Sequence, residues 1–195
     1  MQPGVDLAGG RSVRYCVSPG RGNGRDVSGV PGRKSMRIEA KLEELGLWLP
    51  APIKPPPGLR LSFAWVRIRG DRAYASGHGP LNPDGSPAGP FGKVGAEVSS
   101  EEGYEAARLA ALAMLGSLKN ELGDLDRVTA WLTVTGMVNA APDFGQTTNV
   151  LNGFSDLILE LYGAVAGMHA RTAPGVATLP LNLPVVISAE VEVGG

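Results

Sequence analysis

One long amphipathic segment constrains the fold of this chain more than any other feature. Residues 99–123, SSEEGYEAARLAALAMLGSLKNELG, have the pattern of a complete helix. Ser99 and Glu102 have the spacing of a capping box, and Gly123 stands where a helix commonly ends. Such a helix must bury its apolar stripe against another layer. The predicted stripe consists of Tyr104, Ala107, Ala111, Met114, Leu118 and Leu122.

Strand-like segments lie on both sides of this helix. Residues 60–69 and 72–77 predict two strands joined by a turn at Gly70 and Asp71, and residues 127–138 predict a third. The apolar segment 169–193 predicts a final hairpin of two strands. A second helix, ending near Gly163, is marked by Val150, Leu151, Phe154, Leu157, Ile158 and Leu161.

The order of these elements is β-β-α-β-α-β-β. It predicts an α/β (α+β) fold in which one mixed β-sheet carries two helices packed on one face.

The first 35 residues differ in composition from the rest of the chain. They contain eight glycines and six Arg or Lys against two Asp, so their net charge is +4, while residues 36–195 carry −5. Without helical or strand periodicity, residues 1–35 are predicted to be a disordered extension or a mis-assigned start before Met36. Residues 36–57 predict an N-terminal helix and a proline-rich connector, and residues 58–195 form the main domain.

Composition and charge disfavour several classes of function. A net charge of −1 provides no whole-molecule attraction to nucleic acid or to an anionic membrane. The single cysteine, Cys16, rules out an internal disulfide. No apolar run reaches the roughly 18 residues of a membrane-spanning helix, and the N-terminus lacks the apolar core of a signal peptide. We therefore expect a soluble, cytoplasmic protein.

Few residues carry chemistry that can be recognised from spacing. His78 and His169 are the two histidines, and neither has a carboxylate at a ligand-like spacing, so we expect no metal and no cofactor. Ser76 lies at a strand end but outside a G-x-S-x-G motif, which favours a hydroxyl that bonds a turn or a ligand over a nucleophile.

Arg171 is the candidate that requires an explanation. It begins an apolar strand, HARTAPGVATLP (169–180), where Thr172, Ala173 and Gly175 leave space around it. A guanidinium is costly to bury without a partner. One interpretation is an ion pair within the protein or at a subunit interface. The other is a fork that binds a small carboxylate from solution.

The chain resembles the Rid family, the YjgF-type reactive-intermediate (enamine/imine) deaminases formerly called the endoribonuclease L-PSP family. The resemblance covers residues 58–193 and depends on three segments: YASGHGPLNPDG (74–85), DLDRVTAWLTVTG (124–136) and HARTAPGVATLP (169–180). In the last segment, Leu-Pro follows Arg171 at the family's spacing of eight and nine residues. Residues 101–128 look like a less-studied branch of the family.

The resemblance implies a chorismate-mutase-like fold and a homotrimer with clefts at its subunit interfaces. It implies cofactor-free hydrolysis of small 2-imino or enamino acids to 2-keto acids and ammonia. Arg171 would anchor the substrate carboxylate, and Ser76, Phe63, Asn152 and Ala173 would complete the binding site.

One position departs from the family pattern. The family's water-orienting glutamate lies fifteen residues after the arginine, where this chain has Val186. His78 or His169 could position water instead, because neutral imidazole acts as a base near pH 7. The alternatives are a non-catalytic trimeric binder or sensor of a small carboxylate metabolite, and RNA binding or cleavage. The negative charge of residues 36–195 disfavours nucleic acid as a partner, and no membrane partner is expected.

Overall fold

A mixed sheet carries the two long helices on one of its faces. The structure, a computed structural model, describes residues 37–53, 58 and 60–195. The chain forms α1 (Arg37–Glu44), β1 (Val66–Arg69), β2 (Arg72–His78), α2 (Ser100–Leu122), β3 (Val128–Asn139), α3 (Thr147–Gly167), β4 (Ala170–Thr172), β5 (Gly175–Val176) and β6 (Val185–Val193). The predicted mixed sheet with helices on one face is confirmed.

The strands run in the spatial order β1-β2-β6-β3-β4, with β5 also paired to β3. β4 and β5 pair with β3 in parallel, whereas the other neighbours are antiparallel. The hairpin predicted for residues 169–193 is therefore wrong, because β4 and β6 lie on opposite sides of β3. A parallel β3–β4 pair requires a crossover, which α3 provides.

The alternating residues of β6 separate the two faces of the sheet. Val185, Ile187, Ala189, Val191 and Val193 are buried beneath the helices. The residues between them are half-buried or exposed and form the face that no helix covers.

Local signals account for the ends of the helices. Ser99 accepts a hydrogen bond from the Glu102 amide, and the Glu102 side chain accepts one from the Ser99 amide, which confirms the predicted capping box. α3 begins at Thr147, earlier than the apolar pattern indicates, and continues to Gly167 beyond a backbone break at Gly163. Among the described residues, no helix combines the length and apolar character needed to cross a bilayer.

The predicted extension, residues 1–35, lies outside the described residues. Residues 54–57 of the proline-rich connector also lie outside them.

Candidate functional site

Arg171 lies at the centre of β4, opposite Val134 of β3. Because side chains alternate along a strand, Ala170 and Thr172 point away from the helices when Arg171 points towards them. The hydrogen bond of Thr172 to Thr135 fits this arrangement. The guanidinium thus enters the space between the sheet edge and α3.

Three groups of α3 hold the guanidinium. Its Nη1 donates to Ser155 Oγ at 2.8 Å, and its Nη2 donates to Asn152 Oδ1 at 3.0 Å and to the Thr148 carbonyl at 3.4 Å. All three acceptors are uncharged. They orient the planar fork without neutralising its positive charge.

The Arg171 charge has no close counter-ion within the described part of the chain. No carboxylate there lies within 4.0 Å of the guanidinium, whereas other arginines form ion pairs, such as Arg72 with Glu190. Partial burial lowers the pKa of Arg171, and the field of Asp156 opposes that effect. The described residues therefore offer Arg171 no ion-pair partner within one chain. The remaining interpretations are a partner at a subunit interface and an anion from solution.

His169 joins the same group of residues, as its candidate role requires. Its Nδ1 lies 2.8 Å from the Gly167 carbonyl, and its Nε2 lies 2.9 Å from Ser155 Oγ. Burial lowers the pKa of His169, and the charge of Arg171 lowers it further, against the hydrogen bond to the Gly167 carbonyl. The neutral imidazole is therefore favoured at pH 7.

Ser155 is the site residue that sequence analysis missed. It is buried, and it contacts both Arg171 and His169. A usable signal exists, because Thr148, Asn152 and Ser155 follow the i, i+4, i+7 spacing of one helix face. In an otherwise apolar helix, that polar stripe faces β4.

Two other candidate binding residues, Asn152 and Ala173, also lie beside Arg171. Asn152 contacts the guanidinium directly. Ala173 contributes its backbone instead, because its carbonyl accepts a hydrogen bond from Thr147 Oγ1 at 2.7 Å. This bond fastens the end of β4 to the first turn of α3.

Ser76 and Phe63 lie elsewhere in the chain. Ser76 is on β2, and two strands, β6 and β3, separate β2 from β4. Three strand spacings of about 4.8 Å place these residues about 14 Å or more from Arg171 within one chain. Ser76 Oγ donates to the Ala64 carbonyl at 2.7 Å, and Phe63 is 53% exposed.

His78 is buried, and both of its ring nitrogens are already bonded. Nδ1 lies 2.6 Å from the Ser76 carbonyl, and Nε2 lies 2.8 Å from Ser117 Oγ of α2. Burial lowers the pKa of His78 to about 4, so the ring is neutral at pH 7. This geometry fits a residue that joins β2 to α2, and it leaves no ring nitrogen free for water.

Val186 lies in an apolar environment on the Phe63 side of the sheet. It pairs with Met137 and borders a cavity of about 500 Å³. The side chain that replaces the family's acid therefore faces apolar neighbours. The cavity is also bordered by Ile53, Leu61, Phe63, Trp65, Leu81, Leu181 and Leu183.

One acidic cluster has the spacing of a cation site, but each of its carboxylates already accepts hydrogen bonds, and only Glu39 Oε2 is buried without a partner. Ligand atoms of Glu39, Asp124 and Asp126 lie within 4.8 Å of one another. The Asp126 side chain accepts hydrogen bonds from the first two amides of α1, and the Asp124 side chain accepts one from the Asp126 amide. Glu39 pairs with Lys119 and accepts the Leu125 amide. We assign the cluster to holding α1 against the segment after α2.

Several known proteins are similar to this chain. Residues 68–192 match the protein family described as "YjgF/chorismate mutase-like, putative endoribonuclease". Protein TCP17 of Trypanosoma cruzi is 38% identical over 158 residues, which cover 81% of this chain and 95% of that protein.

Two solved structures are similar in both sequence and fold. Protein Atu1372 of Agrobacterium tumefaciens is 36% identical with a TM-score of 0.71, covering 81% of this chain and 94% of that chain. A "putative endoribonuclease" of Shewanella oneidensis is 30% identical with a TM-score of 0.72, covering 80% of this chain and 99% of that chain.

Proposed function

Because the chain belongs to the YjgF/chorismate mutase-like family, we propose that it binds the carboxylate of a small 2-imino or enamino acid at Arg171 and hydrolyses the imine. The family match over residues 68–192 confirms the resemblance that the sequence motifs indicated. The reaction adds water across the C=N bond and releases a 2-keto acid and ammonia. It consumes no cofactor, because no oxidation or reduction takes place.

The un-neutralised, half-buried guanidinium of Arg171 is the observation that carries this proposal. Ser155, Asn152 and the Thr148 carbonyl fix its orientation and leave its charge available. An incoming carboxylate would neutralise that charge in a partly dry site, where charge-assisted hydrogen bonds contribute roughly 1.5–3 kcal/mol each. The imine carbon next to the carboxylate would then be held at a defined position for attack by water.

A second candidate function is a non-catalytic binder or sensor of a small carboxylate. Val186 favours it, because that position adjoins an apolar cavity instead of presenting an acid to water. The two functions share the anion site at Arg171 and differ only in whether a chemical step occurs after binding. RNA binding or cleavage has less support, because the domain of residues 36–195 carries a net charge of −5.

An assay of imine hydrolysis separates the two candidates. We expect the chain to accelerate ammonia release from 2-iminopropionate that an amino-acid oxidase generates in the reaction. Val186→Glu should raise the rate further, by about tenfold or more, because a carboxylate can orient and deprotonate water. Val186→Gln is the matched control, since it adds the same bulk without a base.

The outcomes of this assay are distinct. A wild-type rate above the uncatalysed rate supports the enzyme. Activity confined to Val186→Glu supports a binding protein on the same scaffold. Absence of both activity and carboxylate binding contradicts the proposal altogether.

We also propose that the protein is a homotrimer with its ligand sites in clefts between subunits. Arg171 and the pair Ser76 and Phe63 are too far apart to contact one small ligand within a single chain. An interface that brings the β4 edge of one subunit to the Phe63 side of another would complete the site. The sheet face that lacks helices offers a surface for such contacts.

Light scattering tests this assembly directly. We expect three times the chain mass at micromolar concentration, and unchanged mass when the concentration is lowered tenfold. A stable monomer at micromolar concentration would contradict both the trimer and the interfacial cleft.

A further inference from the structure

Hydrogen bonds link Arg171, Ser155 and His169 in one direction. The Gly167 carbonyl can only accept, so His169 Nδ1 carries the hydrogen in their 2.8 Å contact. In the neutral ring Nε2 is then an acceptor, and Ser155 Oγ, 2.9 Å away, must donate to it. The serine oxygen in turn accepts from Arg171 Nη1 at 2.8 Å.

Protonation of His169 would reverse one link of this arrangement. Nε2 would then carry a hydrogen and donate to Ser155 Oγ. A serine oxygen has two lone pairs, so it can accept from Nε2 and from Arg171 Nη1 together. The hydroxyl hydrogen of Ser155, no longer held by His169, becomes available to an anion beside Arg171.

The charges around His169 also favour its protonation when an anion is bound at Arg171. Arg171 is the charged group that faces His169, from the adjoining strand. The α3 neighbours of His169, Ser155 and the Phe154 ring, are uncharged. Asp156 of α3 acts on Arg171 and is bonded by Tyr104 of α2. An anion on Arg171 would cancel the main repulsion that an imidazolium would meet here.

We propose that Ser155 and His169 belong to the anion site as residues that position Arg171, and that carboxylate binding is coupled to proton uptake by His169. This inference depends on the proposed anion site. It assigns His169 a role other than base for the attacking water, since its Nε2 is occupied by Ser155. By linkage, the affinity for a carboxylate increases as the pH falls.

Pyruvate is a suitable probe, because it is stable and stays ionised across the relevant pH range. For the full-length chain, the affinity for pyruvate measured by calorimetry should rise roughly 5- to 10-fold when the pH is lowered from 7.5 to 5.5. The chain has two histidines, so NMR can follow both rings. Pyruvate should raise the pKa of His169 and leave that of His78, which is sequestered between β2 and α2, unchanged.

Two isosteric variants separate positioning from titration. His169→Gln places an amide oxygen near the position of Nε2, so Ser155 keeps an acceptor that cannot be protonated. His169→Asn places its amide near Nδ1 and leaves Ser155 without that acceptor. At pH 7.5 we expect His169→Gln to bind pyruvate at least about threefold more tightly than His169→Asn, with neither showing pH dependence.

Failure of this inference differs from failure of the proposed function. The proton coupling alone is overturned if pyruvate binding depends on Arg171 but has the same affinity at both pH values. It is also overturned if pyruvate does not raise the pKa of His169. Equal affinity of the Gln and Asn variants overturns the positioning role. The proposed anion site itself is contradicted if the wild-type protein does not bind pyruvate at either pH, or if Arg171→Ala binds pyruvate as tightly as the wild-type protein does.

Discussion

Arg171→Ala should reduce carboxylate affinity and imine hydrolysis about 100-fold or more. After the three bonds to α3, two N–H groups of the guanidinium can each give a carboxylate a charge-assisted hydrogen bond of roughly 1.5–3 kcal/mol, and tenfold in affinity corresponds to about 1.4 kcal/mol. Arg171→Lys should lose most of the same binding, because an ammonium cannot reproduce the planar fork. Pyruvate calorimetry and ammonia release measure the two effects separately.

The same substitution should change stability only slightly. Arg171 bonds neutral groups of α3, so its removal leaves no buried charge without a partner. Ser155 keeps its hydrogen bond to His169, and the half-buried side chain of Asn152 can form a hydrogen bond with water instead. We expect a loss of about 1 kcal/mol in the free energy of unfolding.

Arg108→Ala provides a matched control for this test. It removes an arginine of α2 that pairs at 3.8 Å with Glu160 of α3. It should leave pyruvate affinity unchanged. If Arg171→Ala instead melts far below wild type while Arg108→Ala does not, the arginine has a structural partner in the assembly, and the carboxylate argument fails.

Gly153→Ala should be the most destabilising single methyl addition at the interface of α2 and α3. A Cβ at this position would lie 2.0 Å from the Tyr104 carbonyl oxygen, which belongs to the backbone of α2. The helices must move apart, and overpacking of this kind costs about 3 kcal/mol, equivalent to roughly 10 °C in Tm. Thermal denaturation followed by circular dichroism measures the change.

Gly116→Ala is the control for Gly153→Ala. It also adds a methyl group to a buried helical glycine, but the nearest atom, the Pro50 carbonyl oxygen, is 3.4 Å from the new Cβ. We expect a change within about 1 kcal/mol, because alanine reduces the entropy of the unfolded chain. Equal stability losses in the two variants would contradict the close helix contact at Gly153.

Local sequence signals predicted the elements that short-range interactions specify. The capping box of α2 involves residues three positions apart, and its apolar stripe has a single period, so both can be read without tertiary information. The start of α3 was not predicted, because no such short-range signal marks it. Gln146, its N-cap residue, makes no side-chain capping bond, and no local signal marks that boundary.

The pairing of β4 and β6 could not be inferred in this way. The residues of β4 and β6 are compatible with extended structure, and neither segment carries a local signal that states whether it pairs with the other or with β3. The antiparallel contact of β6 with β2 and β3, and the parallel contact of β4 with β3, depend on strands far away in sequence. Burial of β6 beneath α2, and of β3 beneath α3, decides between the alternatives.

In the candidate site, too, some features could be predicted from the sequence and others depend on the tertiary structure. Sequence alone determined that Arg171 is the exceptional residue, since a charge beginning an apolar strand requires a partner, and it indicated Asn152 through the family resemblance. Tertiary structure alone decided that His169 and Ser155 join Arg171, whereas His78 is bonded between β2 and α2. Hydrogen bonds between β4 and α3 depend on distance and direction in space, which residue type and spacing along a strand do not specify.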